Sequence, residues 1–356
     1  MGTRPEAIKL APLAEALSDR GIRPRLILTG QHPSLEPRDF GLGDYAMARL
    51  HCAGEEDPYA HAGRVASTLR PLLIEPSDLL IVQGDTSSAF GAALAAFAVG
   101  VPVAHVEAGL RTHDFARPWP EEEFRTAIDA RADLLFAPTD LSARNLRDEQ
   151  VAGEIHVTGN TGIDALLRVE AGLPGFVPNI DPYLLVTCHR RESWGDGLES
   201  IAAALVQIAE TVAIDFILHP NAYVAGRMQS LLNRDRIRLL DPCSHSELIH
   251  RMRDAQLILS DSGGIQEEAP ALGVPLLVLR EKTERPEGIA TGNSRLVGTS
   301  SDAIVRETSR LLSDPLAIEA MSRKAFPFGD GQAAMRIAAI VDQWLAVRAE
   351  QRRGNV

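Results

Sequence analysis

The chain reads as an α/β protein of two doubly wound halves, each built on a parallel sheet. Three observations predict this. Short apolar runs recur along the sequence, Ala- and Leu-rich helical segments separate them, and most of the runs are continuously apolar rather than alternating. Continuous runs mark strands covered on both faces, as a parallel sheet requires. The length of 356 residues suits two domains of ordinary size.

In the first half, strands are predicted at 25–29 (RLILT), 78–83 (DLLIVQ), 101–106 (VPVAHV), 134–138 (LLFAP) and 154–158 (EIHVT). A second series follows at 183–188 (YLLVTC), 215–219 (DFILH), 237–240 (IRLL), 257–260 (LILS) and 275–279 (PLLVL). Helical segments such as 89–98 and 199–210 lie between them, and a last helix is predicted over 332–351. The stretch 171–182, AGLPGFVPNIDP, has neither helical nor strand periodicity and reads as the linker. The first domain is therefore drawn at 1–170 and the second at 171–336, with 337–356 folding back on the first. One element is missing from this pattern. Met1 stands directly before GTRPEAIKLAP, a turn followed by a helix, where a doubly wound half places a buried strand first. Either the fold tolerates that loss or the protein begins upstream.

Composition narrows the function. Thirty-six basic residues against 48 acidic ones give a net charge of −12, which argues against non-specific binding to nucleic acid or an anionic membrane. No apolar run approaches a membrane span. Cys52, Cys188 and Cys243 are far apart and make no metal-ligand pattern, so neither a disulfide framework nor a metal site is expected, and a reducing cytoplasm fits.

The chemistry-bearing residues gather after the carboxyl ends of predicted strands, where open parallel sheets bind ligands. The segment 257–280 reads as strand, DSGG turn, short helix and strand. Gly263 and Gly264 fall at the helix start, whose unpaired N–H groups and positive dipole end suit a phosphate, with Ser262 as N-cap. Glu267 and Glu268 follow, and a carboxylate there can accept ribose hydroxyls. Four more clusters are Thr3-Arg4-Pro5-Glu6 with Lys9, Gly84-Asp85-Thr86, the run 105–111 (HVEAGLR) continuing to 118–122 (PWPEE), and Cys188-His189-Arg190-Arg191-Glu192. Asp85 is equally placed to cap a helix beginning near Thr86, and Glu121 follows Pro120 at a helix start. Glu107 directly follows an apolar strand and is harder to assign to structure alone. Carboxylates grouped at strand ends suit proton transfer. His189 beside two arginines faces an anion, and one of the two, Arg190 or Arg191, is expected to touch it. Arg4, Lys9, Arg111 and Arg285 are further phosphate contacts by charge. A nucleophile elbow, a G-x-G-x-x-G fingerprint and a phosphate-binding P-loop are all absent, which lowers hydrolase, NAD and ATP chemistry.

Taken in order, these clusters resemble the non-hydrolysing bacterial UDP-N-acetylglucosamine 2-epimerases. The matching segments are GTRPEAIKLAP (2–12), TGQH (29–32), GDT (84–86), HVEAGLRT (105–112), PWPEE (118–122), APTD (137–140), VTGNTGIDAL (157–166), HRRES (189–193), DSGGIQEEAP (261–270), TERPE (283–287), LVGT (296–299) and FGDG (328–331). They span essentially the whole chain. The resemblance implies two Rossmann-like halves of the GT-B type with the active site in the cleft between them. It implies interconversion of UDP-N-acetylglucosamine and UDP-N-acetylmannosamine, by removal of the C2 proton with anti elimination of UDP and re-addition. It implies no cofactor and no metal, and a homodimer.

Carried over by motif, Asp85, Glu107, Glu121 and His189 are the catalytic groups. Arg4, Lys9, His219, Ser262, Gly263 and Gly264 bind the diphosphate, and Glu268 holds the ribose. The chain departs from the family pattern at Cys188, usually glycine, and at Leu248, usually an aromatic over the uracil. It departs again at Glu123-Phe124 after PEE, and at Pro33-Ser34 after TGQH. Alternatives are an epimerase of a related UDP-2-acetamido sugar such as a UDP-2,3-diacetamido uronic acid, a GT-B glycosyltransferase, or an inactive nucleotide-sugar-binding relative.

Overall fold

The computed structural model describes residues 1–73, 77–175, 181–188 and 196–354. Its contacts divide the chain into two units, Met1–Ala165 with Phe328–Val356, and Leu166–Pro327. The first unit opens with helix α1 (Arg4–Asp19), then β1 (Leu26–Leu28), β2 (Met47–Arg49), α2 (Pro58–Leu69), β3 (Leu80–Gln83), α3 (Ser87–Val99) and β4 (Val103–Val106). It continues with α4 (Glu121–Asp129), β5 (Leu134–Ala137), α5 (Asp140–Asp148), β6 (Glu154–Val157) and α6 (Thr161–Gly172). Strands β3, β4, β5 and β6 form a parallel sheet in that order, while β1 and β2 form a separate parallel pair. All four residues of β4 and of β5 are buried, the condition foretold by runs that are apolar but for His105.

The second unit runs β7 (Tyr183–Thr187), α7 (Asp196–Ile208), β8 (Ala213–Ile217), α8 (Ala222–Leu231), β9 (Ile237–Leu240), α9 (His245–Asp254), β10 (Leu257–Ser260) and α10 (Gly263–Leu272). Then come β11 (Leu276–Val278), α11 (Glu287–Ala290), β12 (Ser294–Leu296), α12 (Ser301–Leu312) and α13 (Pro315–Met321). Its six parallel strands lie in the order β9-β8-β7-β10-β11-β12, so the chain starts in the middle, winds one way and then the other. That is the dinucleotide-fold order, with its switch point between β7 and β10.

The chain returns to the first unit at Phe328 and ends in α14 (Ala333–Gly354). Ile337, Ala338 and Val341 of α14 pack with Leu13 and Leu17 of α1 over Ala104, Leu134 and Phe136 of the sheet. The start of α14 is held by Asp164, which accepts from the backbone N–H groups of Ala333 and Ala334 at 3.2 and 2.8 Å. A carboxylate there offsets the positive end of the helix dipole. The divisions fall at 165/166 and 327/328 rather than 170/171 and 336/337. The return comes earlier because Asn160 N donates to Phe328 O, tying that residue to the first unit.

Ten strands were expected and each is present, with β8 two residues earlier than drawn. Two more, β2 and β12, have no apolar run behind them: β2 reads Met-Ala-Arg with both outer residues exposed. The α3 N-cap is Thr86, whose hydroxyl accepts from Ala89 N at 3.0 Å, and not Asp85. This leaves the Asp85 side chain to other work.

Candidate active site

In the first unit the site residues leave neighbouring strand ends. Gln83 of β3 pairs with Val106 of β4, so the Gly84-Asp85 turn and Glu107 emerge side by side. Glu107 is buried and sits at φ +73°, a left-handed conformation rare for a side chain of this kind. Its Oε2 accepts from Lys9 Nζ at 2.6 Å and from Gln83 Nε2 at 2.5 Å. Lys9 comes from α1, whose start is fixed by Glu6. The Glu6 carboxylate accepts from Gly2 N, Thr3 N and the Thr3 hydroxyl at 2.7–2.9 Å, and from Thr86 Oγ1 at 3.2 Å. This is the return arm of a capping box, used here to join α1 to the turn after β3.

Asp85 pairs with Arg125 at 2.6 Å. Arg125 is almost wholly buried, lies on α4, and donates through Nε to the carbonyl of Glu121, the first residue of that helix. Arg125 therefore ties the Asp85 turn to the helix that begins with Glu121. Glu122 turns inward instead and accepts from Thr112 N and His113 N, both at 2.8 Å.

Behind these turns lies a fully buried network. His105, in the middle of β4, meets Asp129 Oδ1 through Nδ1 at 2.5 Å and the Gly84 carbonyl through Nε2 at 2.9 Å. Both partners are acceptors, so His105 supplies two N–H groups and is an imidazolium. Burial alone would lower its pKa, but the charge and hydrogen bond of Asp129, with those of the Gly84 carbonyl and Asp85, raise it on balance. Asp129 is held low by the converse: burial raises it, and His105 and Arg111 outweigh that. The same carboxylate accepts from Gly109 N at 3.0 Å and pairs with Arg111 at 2.8 Å. One acid thus braces both the Asp85 turn, through His105, and the Glu107 turn, through Gly109.

Arg111 was expected at a phosphate. All three of its guanidinium nitrogens are instead engaged inside the unit, Nε and Nη2 by Glu149 at 2.7 and 2.6 Å, and Nη1 by Asp129 and the Leu110 carbonyl. Its side chain is 2% exposed, with these bonds holding it inside the unit. Arg4 is exposed at the first position of α1. His189 and Arg190 lie outside the described residues.

In the second unit the switch point carries the expected groups. The hydroxyls of Thr187 and Ser260, at the ends of adjacent β7 and β10, are 2.6 Å apart. Cys188 Sγ donates to Asp261 Oδ2 at 3.4 Å. Ser262 is the N-cap position of α10 and makes no side-chain cap bond there. The two glycines differ in their reasons. A Cβ on Gly263 would stand 2.8 Å from the Arg285 guanidinium carbon, whereas one on Gly264 would meet nothing nearer than the Ser262 hydroxyl at 4.0 Å. Gly263 therefore lets Arg285 lie over the first turn of α10. Arg285 is held there by Glu267 at 2.6 Å and by Glu284. The N–H groups and positive dipole end at the start of α10 suit an anion, while Glu267 and Glu284 balance the charge of Arg285. Glu268 is buried and bonded to His245 Nε2 at 2.7 Å. His219 Nδ1 accepts from Asn221 N at 2.9 Å, so the proton of the neutral ring sits on Nε2.

Sequence reasoning gave no role to Gln83, Asp129, Arg125 and His245, and placed His105 in the 105–111 cluster without one. Gln83 and His105 carried a visible signal: each is a polar residue inside or ending an apolar strand, and a buried polar group needs a partner. Asp129, Arg125 and His245 sit on helices without any such mark.

Among known proteins, the family model described as UDP-N-acetylglucosamine 2-epimerase matches residues 15–342. The UDP-N-acetylglucosamine 2-epimerase of Escherichia coli K12 is 42% identical over 360 residues, covering 94% of this chain and 95% of its own. The crystal structure of UDP-GlcNAc 2-epimerase from Neisseria meningitidis bound to UDP-GlcNAc superposes with a TM-score of 0.88 at 35% identity, covering 96% of this chain and 97% of that one. The S. aureus MnaA–UDP co-structure gives 0.87 at 34% identity, covering 97% and 95%. These neighbours share the GT-B-type architecture of two parallel-sheet α/β units. On the match of model, sequence and structure alike, the chain belongs to the UDP-N-acetylglucosamine 2-epimerase family.

Proposed function

We propose that this chain interconverts UDP-N-acetylglucosamine and UDP-N-acetylmannosamine, with the first unit moving the proton and the second holding the nucleotide. The observation that carries the reading is Glu107: a buried carboxylate in a left-handed turn, aimed by Lys9 and Gln83, beside the turn that carries Asp85. In the forward step a carboxylate takes the C2 proton while the bond from C1 to the diphosphate oxygen breaks. The electron pair of the C–H bond forms the C1–C2 double bond, giving 2-acetamidoglucal and UDP. UDP then re-adds at C1 and a proton returns to the opposite face of C2. Two faces of one carbon need two proton-transfer groups, and Asp85, Glu107 and Glu121 provide that set, with His189 assigned beside the sugar.

Charge grows on the diphosphate as it leaves. The start of α10 at Ser262, Gly263 and Gly264, with Arg285 and His219, stabilises it. Arg4 adds a further positive charge, and Lys9 carries its own at the end of β4 while setting Glu107. Glu268, oriented by His245, accepts the ribose hydroxyls.

The test is proton NMR of the protein with UDP-N-acetylglucosamine in deuterated buffer. Deuterium entering C2 together with the anomeric signal of UDP-N-acetylmannosamine is the expected result. Free N-acetylmannosamine with UDP, or no exchange at C2, would refute it. Sedimentation of the same preparation checks the homodimer proposed with it.

A further inference from the structure

Glu123-Phe124, where the chain departs from the family pattern, both find partners outside α4. Tyr59, the second residue of α2, donates its hydroxyl to Glu123 Oε2 at 2.5 Å. Burial pushes the pKa of that hydroxyl up to about 12, helped by the hydrogen bond and charge of Glu123, while a hydrogen bond from the Trp119 indole works against them. The phenol therefore keeps its proton for Glu123, and its oxygen serves the single donor of the indole. The Tyr59 ring lies 6.2 Å from that of Trp119 and meets Phe124 edge-on at 5.1 Å. Phe124 is almost wholly buried and stacks in turn on Phe90 of α3 at 4.6 Å. These are the separations of favourable aromatic pairs. One side chain of α2 thus grips the chain on both sides of Glu121, at Trp119 before it and at Glu123 and Phe124 after it.

The start of α4 is otherwise weakly fixed. Its N-cap is Pro120, which makes no side-chain cap bond, and Glu121, Glu122 and Glu123 crowd its first turn. Successive residues of a helix point about 100° apart, so holding two of the three side chains sets the direction of the other. Glu122 is held on the inner side by Thr112 N and His113 N, and Glu123 on the outer side by Tyr59. Tyr59 is itself anchored, because its backbone N–H donates to the Asp57 cap of α2 at 2.8 Å.

We propose that Tyr59 is a positioning residue for Glu121, its hydroxyl and ring fixing the rotation of the first turn of α4 and so the aim of the Glu121 carboxylate. The inference rests on the proton-transfer role proposed above for Glu121. Tyr59 acts on the chemical step alone, so its loss slows turnover and leaves substrate binding as it was.

The experiment uses the full chain, with kcat and KM read from the appearance of the UDP-N-acetylmannosamine anomeric signal, UDP affinity from calorimetry and folding from Tm. Tyr59→Phe keeps the ring and removes the hydroxyl. It is expected to lower kcat about tenfold, with KM and UDP affinity within about twofold and Tm within about 2 °C of the parent. Glu123→Ala should show the same loss, and Glu123→Gln, which still offers an acceptor oxygen, should restore most of the rate. In a Glu121→Asp background, where the carboxylate is already withdrawn, Tyr59→Phe should cost less than about twofold. A parental kcat in Tyr59→Phe overturns the proposal. So does an undiminished loss in the Glu121→Asp background, or a rise in KM that accounts for the lost efficiency. If Tyr59→Phe melts early, the contrast between Glu123→Ala and Glu123→Gln decides, and equal rates in those two overturn the proposal. Glu121→Gln alone tests the underlying reading: a parental kcat there removes Glu121 from the chemistry and the proposal with it, whereas a slow Glu121→Gln beside a parental Tyr59→Phe refutes the positioning role only.

Discussion

Asp129 is the residue whose replacement tests most of the first unit at once. Its carboxylate is fully buried, and it meets His105, Arg111 and the Gly109 N–H. Asp129→Leu keeps much of the volume but leaves two cations and an N–H without their acceptor. Removing one member of a buried ion pair costs about 3–5 kcal/mol. For a unit of this size each kcal/mol moves Tm by roughly 2–4 °C, so the variant should melt roughly 6–20 °C below the parent. Asp129→Asn is milder, because an asparagine amide can donate to Nδ1 of a neutral His105, which keeps Nε2–H for the Gly84 carbonyl. The pH dependence separates these cases. His105 has a folded pKa raised above its ordinary 6.5, so its contribution is fully present below 6.5 and is lost as pH rises through the folded value. In the Asn variant that contribution is absent at every pH. The Tm gap between parent and Asp129→Asn should therefore be wide at pH 6 and narrow as His105 deprotonates, read by scanning fluorimetry across the pH range. A gap that does not change with pH, or an Asp129→Leu protein melting within about 2 °C of the parent, would refute the imidazolium bracket.

Three further substitutions divide the site. Lys9→Met removes the donor that aims Glu107, and should lower the rate of C2 deuterium exchange by about 100-fold or more while UDP binding measured by calorimetry changes little; normal exchange with weakened UDP binding would reassign Lys9 to the diphosphate. Arg111→Lys breaks the paired bonds to Glu149, and should lower Tm by several degrees with UDP affinity unchanged, since a lysine lacks the planar fork. A large loss of UDP affinity in a protein of parental Tm would restore Arg111 to the phosphate. Gly263→Ala pushes against the Arg285 guanidinium, and should weaken UDP binding about tenfold, near 1.4 kcal/mol, with little change in melting.

The strands and their ends were legible because the covering of a parallel sheet is written locally, as runs of consecutive apolar residues such as LLFA and LILS. The strands that escaped, Met47–Arg49 and Ser294–Leu296, are three-residue pieces on the borders of their sheets, where little burial is demanded. Asp85, Glu107 and the Gly263 turn were visible as chemistry placed just past a strand. What each of them touches was not. Lys9 and Glu107 are 98 positions apart, Arg111 and Glu149 are 38 apart, and nothing in either segment marks the other. Arg111 shows the consequence: charge alone suggested a phosphate contact, and only the fold reveals its bonds to Glu149 and Asp129.

The conformation of Glu107 binds these threads together. A left-handed turn at a non-glycine residue is unfavourable by about 1–2 kcal/mol and survives only where its surroundings leave no alternative. Here Glu107 N and Ala108 N both reach the Phe136 carbonyl, Asp129 draws in Gly109 N, and a Cβ at Gly109 would stand 2.3 Å from the Ser142 carbonyl. The backbone is thus locked from behind while Lys9 and Gln83 lock the carboxylate in front. If stability alone had shaped the turn, a glycine at 107 would relieve the strain. The chain instead keeps a charged side chain there and supplies two donors to hold it, which is the arrangement a proton-transfer group needs when its aim matters more than its cost.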